Sequence, residues 1–267
     1  MKIRFTKMTG AGNDFVFLGP AFAGLAERAP ELAVRLCARR NSVGADGLIL
    51  VDDSGESIFM HYFNSDGSEA DFCGNGARCF VRYCIEKSVT EGMVEFDTRS
   101  GRHLGEVTSE GVRVSMEAPA LVGDVMLEVA GDNKLITLAE AGVPHAVLLS
   151  EDVAAIDVER LGREIRMHPH FAPRGANADF VGTGGRDGFP IRTYERGVEK
   201  ETLACGSGCV AAALVLRSKN ITGSRTAFRV ASGDVLLVEL PRKGEQGEAY
   251  LTGPARIVYE GETDLEE

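Results

Sequence analysis

The chain has no tryptophan, and it carries only 29 Lys and Arg against 40 Asp and Glu. A formal net charge of −11 leaves no general basic face of the kind that nucleic acid or an anionic membrane demands, so neither is expected as a partner. Long apolar runs are missing too. Cys209 to Leu216 makes only about two helical turns, well short of a bilayer span. Met1-Lys2-Ile3-Arg4-Phe5-Thr6-Lys7 scatters charge through the start of the chain and has no apolar core segment, so it does not read as a signal peptide. The expected location is the cytoplasm. There is no Cys-x-x-Cys pair and the five histidines are dispersed, which speaks against a metal centre. The six cysteines, in a reducing compartment, are expected as thiols. Thr9-Gly10-Ala11-Gly12-Asn13-Asp14 lacks the third glycine of a dinucleotide fingerprint and leads into a strand instead of a helix. A Rossmann reading is excluded.

What the chain does have is a motif in two copies. Cys73-Gly74-Asn75-Gly76-Ala77 is answered by Cys205-Gly206-Ser207-Gly208-Cys209, at an offset of 205 − 73 = 132. The match spreads at that offset: Tyr62 falls on Tyr194, Glu69 on Glu201, Phe96 on Phe228, Gly10 on Gly142 and Asn13 on His145. One residue further on, Ala45-Asp46 falls on Ala178-Asp179. Similarity at a fixed spacing over half a chain marks a duplicated unit, and a period this long implies two domains. Two such copies are expected to pack about a pseudo-two-fold axis with Cys73 and Cys205 facing each other.

Hydrophobic spacing places short strands at 3–8, 15–18, 48–51 and 58–64, and helices at 30–39 and 77–87. The second half repeats that order, with helices at 158–166 and from Cys205 to about Ser218, then strands at 227–230, 235–240 and 256–258. Strands do not alternate strictly with helices, so a doubly wound parallel sheet is ruled out. The expected fold class is α+β, each domain having mostly antiparallel strands around its Cys-led helix. The domains are expected at 1–117, completed by about 255–267, and at 118–254.

A cysteine at a helix start lies where backbone N–H groups favour an anion, which should draw its pKa toward neutral. A lone one is ordinarily just a small buried residue. Gly-x-Gly after both cysteines, however, has poor helix propensity and is costly for packing alone. Two thiols on opposite faces of a Cα–H could invert it, one removing the proton and the other delivering one. The helix-start amides would stabilise the charge developing on the carboxylate, and no cofactor is needed. Cys37, Cys79, Cys84 and Cys209 have no such context and read as core, and His168-Pro169-His170 as a polar loop.

Ala70-Asp71-Phe72-Cys73-Gly74-Asn75-Gly76-Ala77-Arg78-Cys79 resembles the diaminopimelate epimerase family. So do Tyr194-Glu195-Arg196-Gly197, Glu201-Thr202-Leu203-Ala204-Cys205-Gly206-Ser207-Gly208, Lys7-Met8 with Gly10 to Phe15, and Leu251-Thr252-Gly253-Pro254-Ala255. The resemblance covers nearly the whole chain. It implies two pseudo-symmetric lobes and a cofactor-independent, metal-free homodimer that converts LL-2,6-diaminopimelate to the meso form for lysine and peptidoglycan synthesis. By motif, Cys73 and Cys205 become the acid/base pair. Gly74, Asn75, Gly206 and Ser207 bind the reacting carboxylate, while Asn13, Asn64, Asn177 and Arg196 grip the remote amino-acid end. Glu195 and His145 hold the ammonium group and influence thiol protonation. The remote-end residues favour a long substrate over the compact imino acid of a proline racemase. Two departures stand out: Val143 where many members have Asn before Pro-His, and Gly47 where many have Gln.

Overall fold

The computed structural model describes residues 2–185, 187–245 and 247–264. The chain divides into two compact units, Met1–Val114 with Gly253–Glu267, and Ser115–Thr252.

The first unit opens with a hairpin of β1 (Lys2–Gly10) and β2 (Asn13–Leu18). Its two turn residues, Ala11 and Gly12, both have positive φ (51° and 95°), the handedness that matches the twist of paired strands. A 3-10 stretch, Pro20–Arg28, and α1 (Ala29–Cys37) then lead to β3 (Gly47–Asp52), which lies parallel to β2. β4 (Ile58–Asn64) and β5 (Glu69–Ala70) return antiparallel and deliver the chain to α2 (Gly74–Glu86). β6 (Val94–Thr98) runs parallel to β4 and begins a meander with β7 (Gly101–Thr108) and β8 (Gly111–Met116). The last strand of the chain, Arg256–Asp264, pairs antiparallel with β1, Lys2 standing opposite Asp264.

α2 touches β1 to β4, β6, β7 and the last strand, so it is the axis of this unit. It buries nine of its thirteen residues, as a helix enclosed on nearly every side must. α1 lies on the outer face of the sheet, where Leu32 and Leu36 join Leu48, Leu50 and Phe63. Ile49, between those leucines, comes up against α2 at Gly76. Both faces of β3 are therefore covered, which is why it reads as an unbroken apolar run.

The second unit has β9 (Ala120–Val129), β10 (Asp132–Glu140), β11 (Pro144–Ser150), α3 (Val158–Arg166) and β12 (Asn177–Gly182). β13 (Phe189–Glu195), β14 (Lys200–Thr202), α4 (Gly206–Ser218), β15 (Arg225–Arg229), β16 (Val235–Glu239) and β17 (Ala249–Gly253) follow. The pairings repeat those of the first unit in order. β10–β11 is antiparallel, β11–β12 parallel across a helix, β12–β13 and β13–β14 antiparallel, and β13–β15 parallel. α4 occupies the place of α2, with ten buried residues and contacts to β9 to β12, β15 and β16. β9 pairs with β10 as the last strand, β18, pairs with β1. The fold is thus α+β, one topology used twice.

Three local readings of the sequence change. α2 starts at Gly74 rather than Ala77, because the motif glycines are themselves helical. The 3-10 stretch at Pro20–Arg28 has no clear apolar period and was not anticipated. The strand read at 256–258 runs on to Asp264 and has no fully buried residue, which leaves its far end without an apolar signal.

Candidate active site

Each unit presents one motif cysteine as the residue before its central helix. Cys73 has extended backbone (φ −143°, ψ 111°), and its Sγ accepts from the Gly76 N–H at 3.4 Å. Cys205 takes the same conformation before α4 (φ −118°, ψ 110°), with Sγ 3.4 Å from Ser207 Oγ. Both sulfurs lie at a first helical turn, whose N–H groups have no partner within the helix, and such a turn suits binding of a carboxylate.

In the first unit a directed chain of hydrogen bonds leads away from Cys73. Arg78, fully buried one turn into α2, donates to Gly74 O at 3.2 Å and to Asn75 Oδ1 at 2.7 Å. Asn75 Nδ2 donates to Asn13 Oδ1 at 2.6 Å, and Asn13 Nδ2 donates to Asp46 Oδ2 at 3.0 Å. The β1–β2 turn brings Asn13 to this place, at the first position of β2. Asn64, at the end of β4, accepts from Tyr62 Oη at 3.0 Å and donates to Ser68 Oγ at 3.0 Å.

In the second unit His145 sits on β11, Asn177 on the parallel neighbour β12, and Glu195 at the end of β13. His145 and Asn177 are partners in the strand register. His145 Nδ1 is 2.7 Å from Asp179 Oδ2, and the Arg196 N–H donates to Asn177 Oδ1 at 2.8 Å. Asp179 also accepts from Thr193 Oγ1 at 2.7 Å. Burial pushes the Glu195 carboxyl above its ordinary pKa, and the nearby Asp179 charge adds to the rise.

The structure corrects one expectation. Cys205 is not drawn toward neutral; its pKa lies well above the ordinary thiol value. Burial comes first, then the Glu195 and Asp179 charges, and the bonds from Ser207 and the Gly208 amide offset only part of this. Among the cysteines read as core, burial likewise raises Cys37, Cys79 and Cys84, each to about 12. His168 and His170 lie in an exposed 3-10 turn. Among the described residues no cluster of His, Cys, Asp or Glu has metal-binding geometry, and no helix is long and apolar enough to cross a membrane.

With this geometry in view, comparison with known proteins becomes decisive. The chain matches the family model described as Diaminopimelate epimerase over residues 5–122 and 137–258. A curated diaminopimelate epimerase from Aquifex aeolicus is 39% identical, over 97% of both chains. The chain belongs to the diaminopimelate epimerase family. It is accordingly an amino-acid epimerase, an isomerase. Solved structures agree on the fold. A Bacillus anthracis phenazine biosynthesis protein of the PhzF family superposes with a TM-score of 0.77 at 16% identity, over 99% of this chain and 100% of that one. A probable proline racemase from Agrobacterium radiobacter gives 0.74 at 15% identity, over 99% and 93%.

Against the epimerase family pattern, the departure at Gly47 acquires a physical reason. A Cβ at this position would lie 2.6 Å from Tyr62 Cε2 and 2.6 Å from the Phe63 carbonyl oxygen. The Tyr62 ring therefore fills the space a larger residue would need, and its hydroxyl reaches Asn64. Val143 forms part of the turn between β10 and β11, its carbonyl accepting from the Ala141 N–H at 3.1 Å. Sequence reasoning passed over Asp46, Arg78 and Asp179 as site residues. The one available signal was the internal match of Ala45-Asp46 with Ala178-Asp179.

Proposed function

We propose that this epimerase inverts one α-carbon of LL-2,6-diaminopimelate to give the meso isomer, with Cys73 and Cys205 as its two proton carriers. The observation that carries this reading is the identical placement of the two cysteines, each the extended residue before a glycine-led, buried helix. One sulfur, as thiolate, takes the α-proton and leaves a carbanion stabilised through its carboxylate. The other, as thiol, returns a proton to the opposite face. The proton count is unchanged, and the roles exchange in the reverse direction. The first-turn amides of Gly74, Asn75, Gly206 and Ser207 bind the reacting carboxylate and the negative charge that develops on it. Asn13, Asn64, Asn177 and Arg196 hold the remote amino-acid end, Arg196 as a bidentate partner for its carboxylate. His145 and Glu195 receive the ammonium group. The enzyme acts in the cytoplasm as a homodimer, without cofactor or metal and without a nucleic-acid or membrane partner, and its product serves lysine and peptidoglycan synthesis.

Proton NMR of LL-diaminopimelate with the reduced protein in D₂O tests this directly. Loss of the α-proton signal, with appearance of the meso isomer, is the expected result. No exchange by folded, reduced protein would sink the substrate assignment, and turnover of proline alone would transfer it to a racemase. Isomerisation surviving in Cys73→Ala would defeat the two-thiol mechanism, because one face would lack a proton carrier.

A further inference from the structure

Hydrogen-bond directions around His145 determine which ring nitrogen carries its proton. The backbone N–H of Arg196 can only donate, and it points at Asn177 Oδ1 from 2.8 Å. This fixes the Asn177 amide, so that its Nδ2, a donor, faces His145 Nε2 at 3.5 Å. Nε2 therefore presents its lone pair, and the ring hydrogen resides on Nδ1. From there it is donated to Asp179 Oδ2 at 2.7 Å. The second carboxylate oxygen is taken by the Thr193 hydroxyl at 2.7 Å. The imidazole and the carboxylate are both sealed from solvent, with side-chain exposures of 0% and 0%.

We propose that Asp179 is a positioning residue that holds His145 as the Nδ1–H tautomer and so offers Nε2 as an acceptor for the substrate's ammonium group. A primary ammonium has three hydrogens and no lone pair, so only an acceptor can receive it. The contact it displaces, Asn177 Nδ2 at 3.5 Å, is at the weak end of hydrogen bonding and easily given up. Gly208, in the first turn of α4, is what admits the carboxylate: a Cβ there would stand 2.4 Å from Asp179 Oδ1. The first unit repeats the plan with different residues. Asn13, the counterpart of His145, gives its Nδ2 hydrogen to Asp46 Oδ2 at 3.0 Å, while its oxygen accepts from Asn75 Nδ2 at 2.6 Å. In both copies a carboxylate takes an N–H from the residue at this place, but only in the second is the remaining acceptor met by a weak contact. The proposal rests on the amino-acid epimerase reading above.

Asp179→Asn is the test. Where Thr193 goes on donating to oxygen, the new amide nitrogen faces His145 Nδ1 and drives the ring proton to Nε2; an amide turned about, with Thr193 accepting, leaves the proton on Nδ1, and ¹⁵N NMR of His145 in the variant distinguishes the two. An exchanged tautomer of this kind leaves shape intact but aims a donor at a donor. The expected result is a KM for the amino-acid substrate raised about tenfold or more, with kcat reduced less, as for lost ground-state binding. Alongside it, ¹⁵N NMR of His145 in the unsubstituted protein should show a protonated Nδ1 and a bare Nε2. A protonated Nε2 there overturns the proposal, and so does an unchanged KM in a folded Asp179→Asn protein whose own ¹⁵N spectrum shows the ring proton moved to Nε2. If that variant does not fold, the spectrum of the unsubstituted protein decides alone. A wrong substrate would show itself separately, as absent turnover by unsubstituted protein with the ¹⁵N pattern as expected.

Discussion

Gly47 is a residue defined by what it leaves room for. The Tyr62 ring packs edge-on against Phe15 with centroids 6.0 Å apart, and its hydroxyl holds the Asn64 amide in one orientation. Adding a single methyl as Gly47→Ala drives a Cβ into the Phe63 backbone oxygen, which cannot move as a flexible side chain can. Overpacking of this kind costs about 1–3 kcal/mol, and a denaturant titration should find that loss. Glu195 gives a pH-dependent counterpart. Burial holds its folded pKa above the unfolded value, so the native protein keeps this proton longer than the unfolded chain does. Its stabilising contribution is complete below the ordinary carboxylate range and declines as pH rises through the raised value. Glu195→Gln should therefore gain stability relative to the unsubstituted protein between acid and neutral pH. A difference that stays constant over a pH series of denaturation curves would refute this. Sequence reasoning could mark Gly47 as a departure but could not see Tyr62 as the cause, because a clash depends on strand register. Asp179 was hidden for the same reason: one carboxylate among forty acidic residues carries no label until its partners close around it.

Among the elements, α2 and α4 were the most legible parts of the chain. The apolar stripe of Phe80, Tyr83 and Cys84 in one, the apolar run from Cys209 to Leu216 in the other, and their cysteine starts announced two buried helices, and the repeat offset tied them together. Less legible was the reason for the second glycine of each motif. Poor helix propensity pointed to ligand binding alone, yet packing also asks for glycine here. A Cβ at Gly76 would meet Ile49 Cδ1 at 3.0 Å, whereas at Gly208 it would meet Asp179 Oδ1 at 2.4 Å. A terminal methyl of isoleucine can swing aside; a carboxylate held by His145 and Thr193 cannot without breaking bonds to both. Gly208→Ala should therefore cost more stability and activity than Gly76→Ala. Parallel melting curves and rate assays on the two variants check the order, and equal losses would contradict it. The helices thus match in backbone and placement while the side chains beneath them have diverged, apolar under one and ionic under the other.

At the scale of the whole molecule, the duplicated topology is closed in each unit by one additional antiparallel strand beside the opening hairpin. In the second unit that strand, β9, comes just before β10 in sequence. In the first it is β18, the last element of the chain, joined to β1 from Lys2↔Asp264 through Thr9↔Arg256. β18 has no fully buried residue and leaves even Val258 and Tyr259 exposed, so its importance lies in the ladder it completes more than in apolar burial. A chain ended at Ala255 should lose that ladder and leave β1 as an open edge. Hydrogen exchange should then show lost protection in β1, with the amides of β10 to β13 protected as before. Uniform loss across both units would mean that they do not respond separately.

The same arrangement bears on the order in which the protein comes into being on the ribosome. Domains customarily fold as they emerge, the N-terminal one first. Here the partner that β1 awaits is synthesised only after every strand of Ser115–Thr252 has been made. The half of the enzyme that is translated first is the half that is finished last.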